Sequence, residues 1–242
     1  MQHGPSSLNA QPEQATGQLH LHFCHVSRLS STEEQAVVEC LSSSEIERLE
    51  SFKHPNRRVE YLVSRRLMRD ALCEQFGENP EYWDFDDRRG EVPQIRNLPD
   101  RHHVNLSHSK GLVCFAIADA QMGVDIEAQR AERDYSRLAK MFMTGREREA
   151  LNHQVDPSTY FYRCWCAKEA YYKAHTKAEQ SALHFTGIEV SDLDQAQDWQ
   201  LVEGRIDEHY LVAATRQGSV TTHCHYHSTD AEWSRPFVPA HL

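Results

Sequence analysis

No Cys-x-x-Cys pair occurs among the seven cysteines, and Cys164 and Cys166 are the only close two. An odd count without metal-ligand spacing indicates neither a disulfide framework nor a zinc site, so the thiols are expected to be reduced, as in a cytoplasmic protein. No stretch approaches the 18 apolar residues of a spanning helix, and residues 1–18 lack the basic start and apolar core of a signal peptide. Those 18 residues are expected to form a disordered tail. Positive charge is also scarce: a formal net charge of −10 excludes a general nucleic-acid or anionic-membrane binder. A polyanionic ligand must therefore meet a local basic patch.

At 242 residues and 39% hydrophobic content, the chain can form one large domain or two smaller ones. Leu19, Leu21 and Phe23 alternate as in a strand. Ser31 with Glu34 and Ser44 with Glu47 have capping-box spacing for two short helices. From Asn56 to Phe76, Val59, Leu62, Val63, Leu67, Ala71 and Leu72 recur at helical spacing, and Gly77 marks the stop. A turn-rich stretch then leads to Asn105-Leu106-Ser107-His108-Ser109 and a strand over Leu112 to Ala118, followed by a short strand from Val124 to Glu127. Helices are expected over residues 133–142, 146–152 and 158–177, and strands over 187–190, 199–202, 210–214 and 220–226. This order predicts an α+β fold of two related lobes, residues 19–121 and 122–242.

On a strand Asp125 and Glu127 share a face, while Val124 and Ile126 point into the core. Adjacent carboxylates repel unless a cation lies between them, and such hard oxygen ligands suit Mg²⁺. Alone, Asp-x-Glu is weak evidence and reads as the polar edge of an exposed strand. The partner segment is Trp165-Cys166-Ala167-Lys168-Glu169-Ala170-Tyr171-Tyr172-Lys173-Ala174, where Glu169 and Lys173 share a helical face; alone they would be a surface ion pair. His108 in its polar segment could hydrogen-bond a phosphate oxygen, and no Gly-x-Ser-x-Gly surrounds Ser107 to make it a hydrolase nucleophile. Six basic residues lie between Lys53 and Arg69 against one acid, Glu60, which reads as a phosphate or acidic-partner patch. His223, His225 and His227 alternate along one strand without a recognisable fourth ligand.

Taken in order, the Asn105–Ser109, Gly123–Glu127 and Trp165–Ala174 segments resemble those of the 4′-phosphopantetheinyl transferases, specifically the long, surfactin-synthetase type. Val59–Arg66 is similar to that family's N-terminal helix. The resemblance implies a monomer of two similar lobes related by pseudo-twofold symmetry, with the active site in the cleft between them, that holds coenzyme A and Mg²⁺ there and transfers phosphopantetheine to a serine of an apo acyl or peptidyl carrier protein, releasing adenosine 3′,5′-bisphosphate. It implies that Asp125, Glu127 and Glu169 are the metal ligands, that Glu169 is also the base, and that Lys173 contacts the pyrophosphate, with Asp125, Glu169 and Lys173 forming the catalytic set. Arg65, Arg66, Ser107, His108, Lys168 and Lys173 are the implied coenzyme A contacts. The sequence departs from a frequent family pattern where Val92, not a basic residue, precedes Pro93, and from some members where Glu60 stands at a position they fill with Arg; Arg57, Arg58, Arg65 or Arg66 would then serve the 3′-phosphate. The basic helix, with Arg65 and Arg69, is expected to form the docking surface for an acidic carrier. Competing readings are another Mg²⁺-dependent phosphoryl-transfer or nucleotide-hydrolysing enzyme, and a catalytically silent coenzyme A or carrier binder.

Overall fold

Strand alternation sets the central layers. In the computed structural model, which describes residues 16–27, 29–88, 93–130, 133–227 and 236–240, β1 (Gly17–His25) turns Leu19, Leu21 and Phe23 inward, each fully buried. β1 pairs antiparallel with β5 (Leu112–Ala118), which pairs antiparallel with β4 (His103–Ser109). The second sheet is built on β6 (Met122–Ala128), which pairs antiparallel with β8 (His209–Thr215), itself paired with β7 (Gln200–Ile206). Val124, Ile126, Leu211 and Ala213 of this sheet close one core with Leu19, Leu21 and Phe23 of the first. Each large aliphatic side chain so buried contributes about 1.5–3 kcal/mol relative to exposure.

The strand pairing repeats. Each half runs from a strand through helices to an antiparallel hairpin, and the first strand pairs with the second hairpin strand: β1 with β5, β6 with β8. The first half carries α1 (Ser31–Glu39), α2 (Ser43–Glu50) and the long α3 (Pro55–Phe76), plus a two-stranded ribbon of β2 (Phe85–Asp86) and β3 (Gln94–Ile95). The second carries α4 (Tyr135–Ala139), α5 (Gly145–Leu151), the long α6 (Pro157–Lys173), α7 (Lys177–Gln180) and α8 (Val190–Gln195). The fold is α+β, as expected. One strand crosses over: β9 (Val220–His227) follows the second hairpin yet pairs in parallel with β1, giving the order β4-β5-β1-β9, while β10 (Val238–Pro239) pairs with β7.

Both long helices are anchored by the same device. Glu45, the third residue of α2, closes the capping box of Ser42 and is fully buried; it accepts from Arg69 Nη2 at 2.6 Å and lies 3.2 Å from Arg65 Nε. Glu147, the third residue of α5, closes the box of Thr144 and accepts from Lys168 Nζ at 2.5 Å. A buried acid paired in this way becomes an uncompensated charge when its partner is removed.

Some local expectations shift. The N-caps are Ser30 with Glu33 and Ser42 with Glu45, one and two residues before the expected boxes. Runs of serine offer several registers, and the one adopted turns Glu45 and Leu49 inward. Residues 187–190 are not a strand: Val190 opens α8, and its N–H donates to Glu147 Oε1 at 3.0 Å, so a helix start accounts for the buried Ile188 and Val190. Helix α3 starts with Pro55 at its first position and stops at Gly77, whose φ of 78° only glycine adopts without strain. β1 begins inside the expected tail, at Gly17. Among the described residues no helix is long and apolar enough to cross a membrane.

Candidate active site

Gly123 determines how closely helix and strand approach. A Cβ there would lie 2.1 Å from the Ala170 carbonyl oxygen and 2.6 Å from the Ala174 nitrogen, so only glycine lets α6 settle directly on β6. Ala167 and Ala170, both fully buried, supply the matching small face. This close packing brings Glu169 and Lys173 of α6 over Asp125 and Glu127 of β6.

Asp125 is 4% exposed. Its Oδ1 accepts from Lys173 Nζ at 2.6 Å and from Ser107 Oγ at 3.0 Å, whereas its Oδ2 is buried without a hydrogen-bond partner. Glu127 accepts from Ser109 Oγ at 2.8 Å. Burial raises the pKa of Glu169, and the charges of Asp125 and Glu127 add to the rise, against a lowering by Lys173. Burial works against the charge on Lys173, but Asp125, by charge and hydrogen bond, and then Glu169 hold its pKa above the ordinary lysine value. Cys166 lies beside this group, its thiol pushed well up by burial and by Asp125 and Glu127.

Three carboxylates with one unpartnered buried oxygen carry more negative charge than Lys173 alone offsets. The donors are all hard oxygens, the set that Mg²⁺ takes, and the orphaned Asp125 oxygen is open to it, but the three carboxylates do not all lie within 4.8 Å of one another.

The Asn105-x-Ser107-x-Ser109 alternation has a role that the sequence did not disclose. β6 is an edge strand, and its free N–H groups are taken up by side chains of β4. Val124 N donates to Asn105 Oδ1 (3.3 Å), Ile126 N to Ser107 Oγ (3.2 Å) and Ala128 N to Ser109 Oγ (3.2 Å). The two sheets are thus stitched together, and the same serines donate to Asp125 and Glu127. The available signal was the period of two shared by the polar residues of both motifs.

The other expected contacts separate into two groups. His108, half exposed, lies with its Nδ1 2.6 Å from Glu60 Oε1. That hydrogen bond is the main cause of the lowered Glu60 pKa. Glu60 also accepts from Arg57 at 3.1 Å, so one acid pairs both His108 and Arg57. His108, Glu60 and Arg57 are common to two adjoining cavities. One, about 420 Å³, is lined also by Tyr61, Ser64 and Arg65; the other, about 390 Å³, by Lys110, Glu127, Arg130 and Arg133. A third, about 870 Å³, holds Glu169, Lys173 and Asn105 and shares Pro93 with the first. Arg65 reaches this region but is 3% exposed, tied to Asp87 and Glu45 and stacked over Tyr61.

Lys168 and Arg66 are not brought to this place. Lys168 is fully buried, and its ammonium donates to Glu147 and to the Phe142 and Phe185 carbonyls, both at 2.9 Å, so it anchors α6 rather than facing the cavities. Arg66 pairs with Glu33 at 2.8 Å and with Asp70, and lines cavities on the other side of α3. The proposed docking surface also needs correction: Arg65 and Arg69 are 3% and 2% exposed and held by Glu45, so they cannot present charge to a partner. A count of basic residues does not reveal that an acid from the preceding helix has been folded under them. Glu91 and Val92 lie outside the described residues.

Comparison with known proteins agrees with this geometry. The family profile for the 4′-phosphopantetheinyl transferase superfamily matches residues 121–225, which span β6, α6 and the second hairpin. The 4′-phosphopantetheinyl transferase HetI of Nostoc is 31% identical over 76% of this chain and 81% of its own length. A 4′-phosphopantetheinyl transferase of Bacillus subtilis is 28% identical over 68% of this chain and 73% of its own length. The transferase Sfp of Bacillus subtilis is 28% identical over 62% and 66%. With a relative at that identity matched over most of its length, and the profile falling on the segments that assemble the carboxylates, the chain belongs to the 4′-phosphopantetheinyl transferase superfamily.

Proposed function

We propose that this chain transfers the 4′-phosphopantetheine group of coenzyme A to a serine of an apo acyl or peptidyl carrier protein, in the manner of the long, surfactin-synthetase type. The observation that carries the reading is the convergence of Asp125, Glu169 and Lys173 across the β6–α6 contact, with Glu127 on the same strand face. It is supported by the cations Arg57, Lys110, Arg130 and Arg133 around the neighbouring cavity, a local positive wall in an acidic protein. Both halves that wall the region come from one chain, so a monomer is sufficient.

In this reading Asp125, Glu127 and Glu169 hold Mg²⁺, which when bound would offset charge on the coenzyme A pyrophosphate. Glu169 takes the proton from the carrier serine, directly or through water. The serine oxygen bonds to the phosphorus that bears pantetheine as the bridging P–O bond breaks. Lys173 stays charged and meets the negative charge that develops on the departing phosphate of adenosine 3′,5′-bisphosphate. Ser107 and Ser109 fix the rotamers of Asp125 and Glu127 by donating to them. Arg57 and His108 are the groups placed to meet further coenzyme A phosphates, and the exposed Arg57, Arg88 and Lys110 replace Arg65 and Arg69 as candidates for drawing in an acidic carrier.

The test is to incubate the protein with coenzyme A, Mg²⁺ and a panel of apo carriers and to weigh each carrier by mass spectrometry. A gain of one phosphopantetheine, abolished by chelation, is expected on at least one carrier. Nucleotide hydrolysis without any carrier gain would point instead to another phosphoryl-transfer enzyme.

A further inference from the structure

The first half of the molecule has its own polar cluster between its opening strand and its long helix. On β1, His20 and His22 face away from the core leucines, and β9 lies alongside with His223, His225 and His227 in register: His20 opposite His223, His22 opposite His225. The rings of His22 and His225 stack at 4.2 Å, and those of His20 and His223 at 4.7 Å. Glu74, from the last turns of α3, reaches into this group. Its Oε1 lies 2.9 Å from His225 Nδ1, and its Oε2 lies 4.0 Å from His22 Nδ1 and 3.8 Å from His227 Nε2. His22 Nδ1 and His227 Nε2 are 3.0 Å apart.

We propose that His22, Glu74 and His225, with His227 as an adjoining fourth donor, form a binding site for a borderline divalent cation of the Zn²⁺ class, separate from the Mg²⁺ site of the second half. One ligand atom from each of His22, Glu74 and His225 lies within 4.8 Å of the others. Tetrahedral Zn²⁺ with ligands at about 2.0–2.1 Å spaces its donors roughly 3.3 Å apart, a value bracketed by the contacts seen. Imidazole with one carboxylate suits Zn²⁺ better than Mg²⁺. The orientation is supported from behind: His225 offers Nδ1 to Glu74 while its Nε2 lies 3.1 Å from His20 Nδ1, the partnering that fixes the tautomer of a ligating histidine. His227 lines a cavity of about 230 Å³ with Cys24 and Asp70, and Glu74 is half exposed, so an ion has access.

The site joins three segments distant in sequence: β1, the end of α3, and β9, the strand that crosses back from the second half. A bound ion would clip that returning strand in place. The function would be structural, since ions that bind only the folded state stabilise it by mass action.

The experiment uses the full chain, stripped with chelator and held in excess Mg²⁺ so that the second-half carboxylates are occupied. Co²⁺ is titrated while its visible d–d absorption is followed, then displaced with Zn²⁺, and the melting temperature is read with and without Zn²⁺. We expect one equivalent of Co²⁺ in a low-symmetry nitrogen–oxygen site and a Zn²⁺-dependent rise in melting temperature. Both should be lost in the Glu74→Gln/His225→Ala double variant, whose changed side chains are partly exposed, and both retained in Glu169→Gln. Absence of the single equivalent in the parent chain, or its survival in the double variant, overturns the proposal.

Discussion

Helices α3 and α6 show what the two halves share and where they part. Each is held by a buried capping-box acid from the helix before it, Glu45 under Arg65 and Arg69, Glu147 under Lys168. Aligning Arg69 with Lys168 places Asp70 opposite Glu169 and Glu74 opposite Lys173. On the facing strands His20 and His22 alternate with core residues as Asp125 and Glu127 alternate with Val124 and Ile126. One scaffold therefore presents hard oxygens and an ammonium in the second half, and imidazoles with a carboxylate in the first. The free edge of β1 is filled by β9, whereas that of β6 is met by side chains, those of Asn105, Ser107, Ser109 and Lys173. The repeated elements supply position, and the few side chains that differ supply the chemistry.

The comparison is most exposed at the buried pairs. Lys168→Ala should cost about 3–5 kcal/mol in chemical denaturation, as should Arg69→Ala, because each leaves a buried carboxylate without its main partner. Stability unchanged in Lys168→Ala, with a raised KM for coenzyme A, would return that lysine to the ligand set and break the equivalence. Gly123→Ala should cost roughly 1–3 kcal/mol by overpacking against Ala170 and lower the transfer rate by lifting Glu169 from β6. A melting curve and a rate on the same sample decide it.

The pH dependence sharpens the contrast further. Because the Glu169 pKa is raised in the folded protein, its neutral form favours folding; that contribution is complete below the unfolded glutamate value and is lost as pH rises through the folded value. Replacing Glu169 with Gln should flatten that stability slope. The smallest effect is expected at Arg66→Ala, a half-exposed residue on the far side of α3, about 0.2–1 kcal/mol with no change in KM for coenzyme A.

Much of this was legible in the chain. The long helix that stops at Gly77 and the strands β1, β5 and β6 follow from apolar period and a glycine at a helix end, and the meeting of β6 with α6 was implied by the family motifs. What the sequence could not show was where a cation is spent. Lys168 sits inside the motif that carries Glu169 and Lys173, yet points the other way around α6 toward Glu147, a partner 21 residues earlier. Arg65 and Arg69 read as surface charge until Glu45 is found beneath them. The histidines of β9 lacked partners in sequence because theirs lie on β1 and α3, brought near by a parallel crossover that local patterning does not encode.

The central claim is that phosphopantetheine transfer belongs to Glu169 and its neighbours in the second half, not to the equivalent acid in the first. Carrier modification rates should be measured side by side for Glu169→Gln and Asp70→Asn, each shown to be folded, with coenzyme A and Mg²⁺ saturating. The account predicts a loss of about 10²–10⁴-fold for Glu169→Gln and an unaltered rate for Asp70→Asn. Equal rates in the two variants would contradict it.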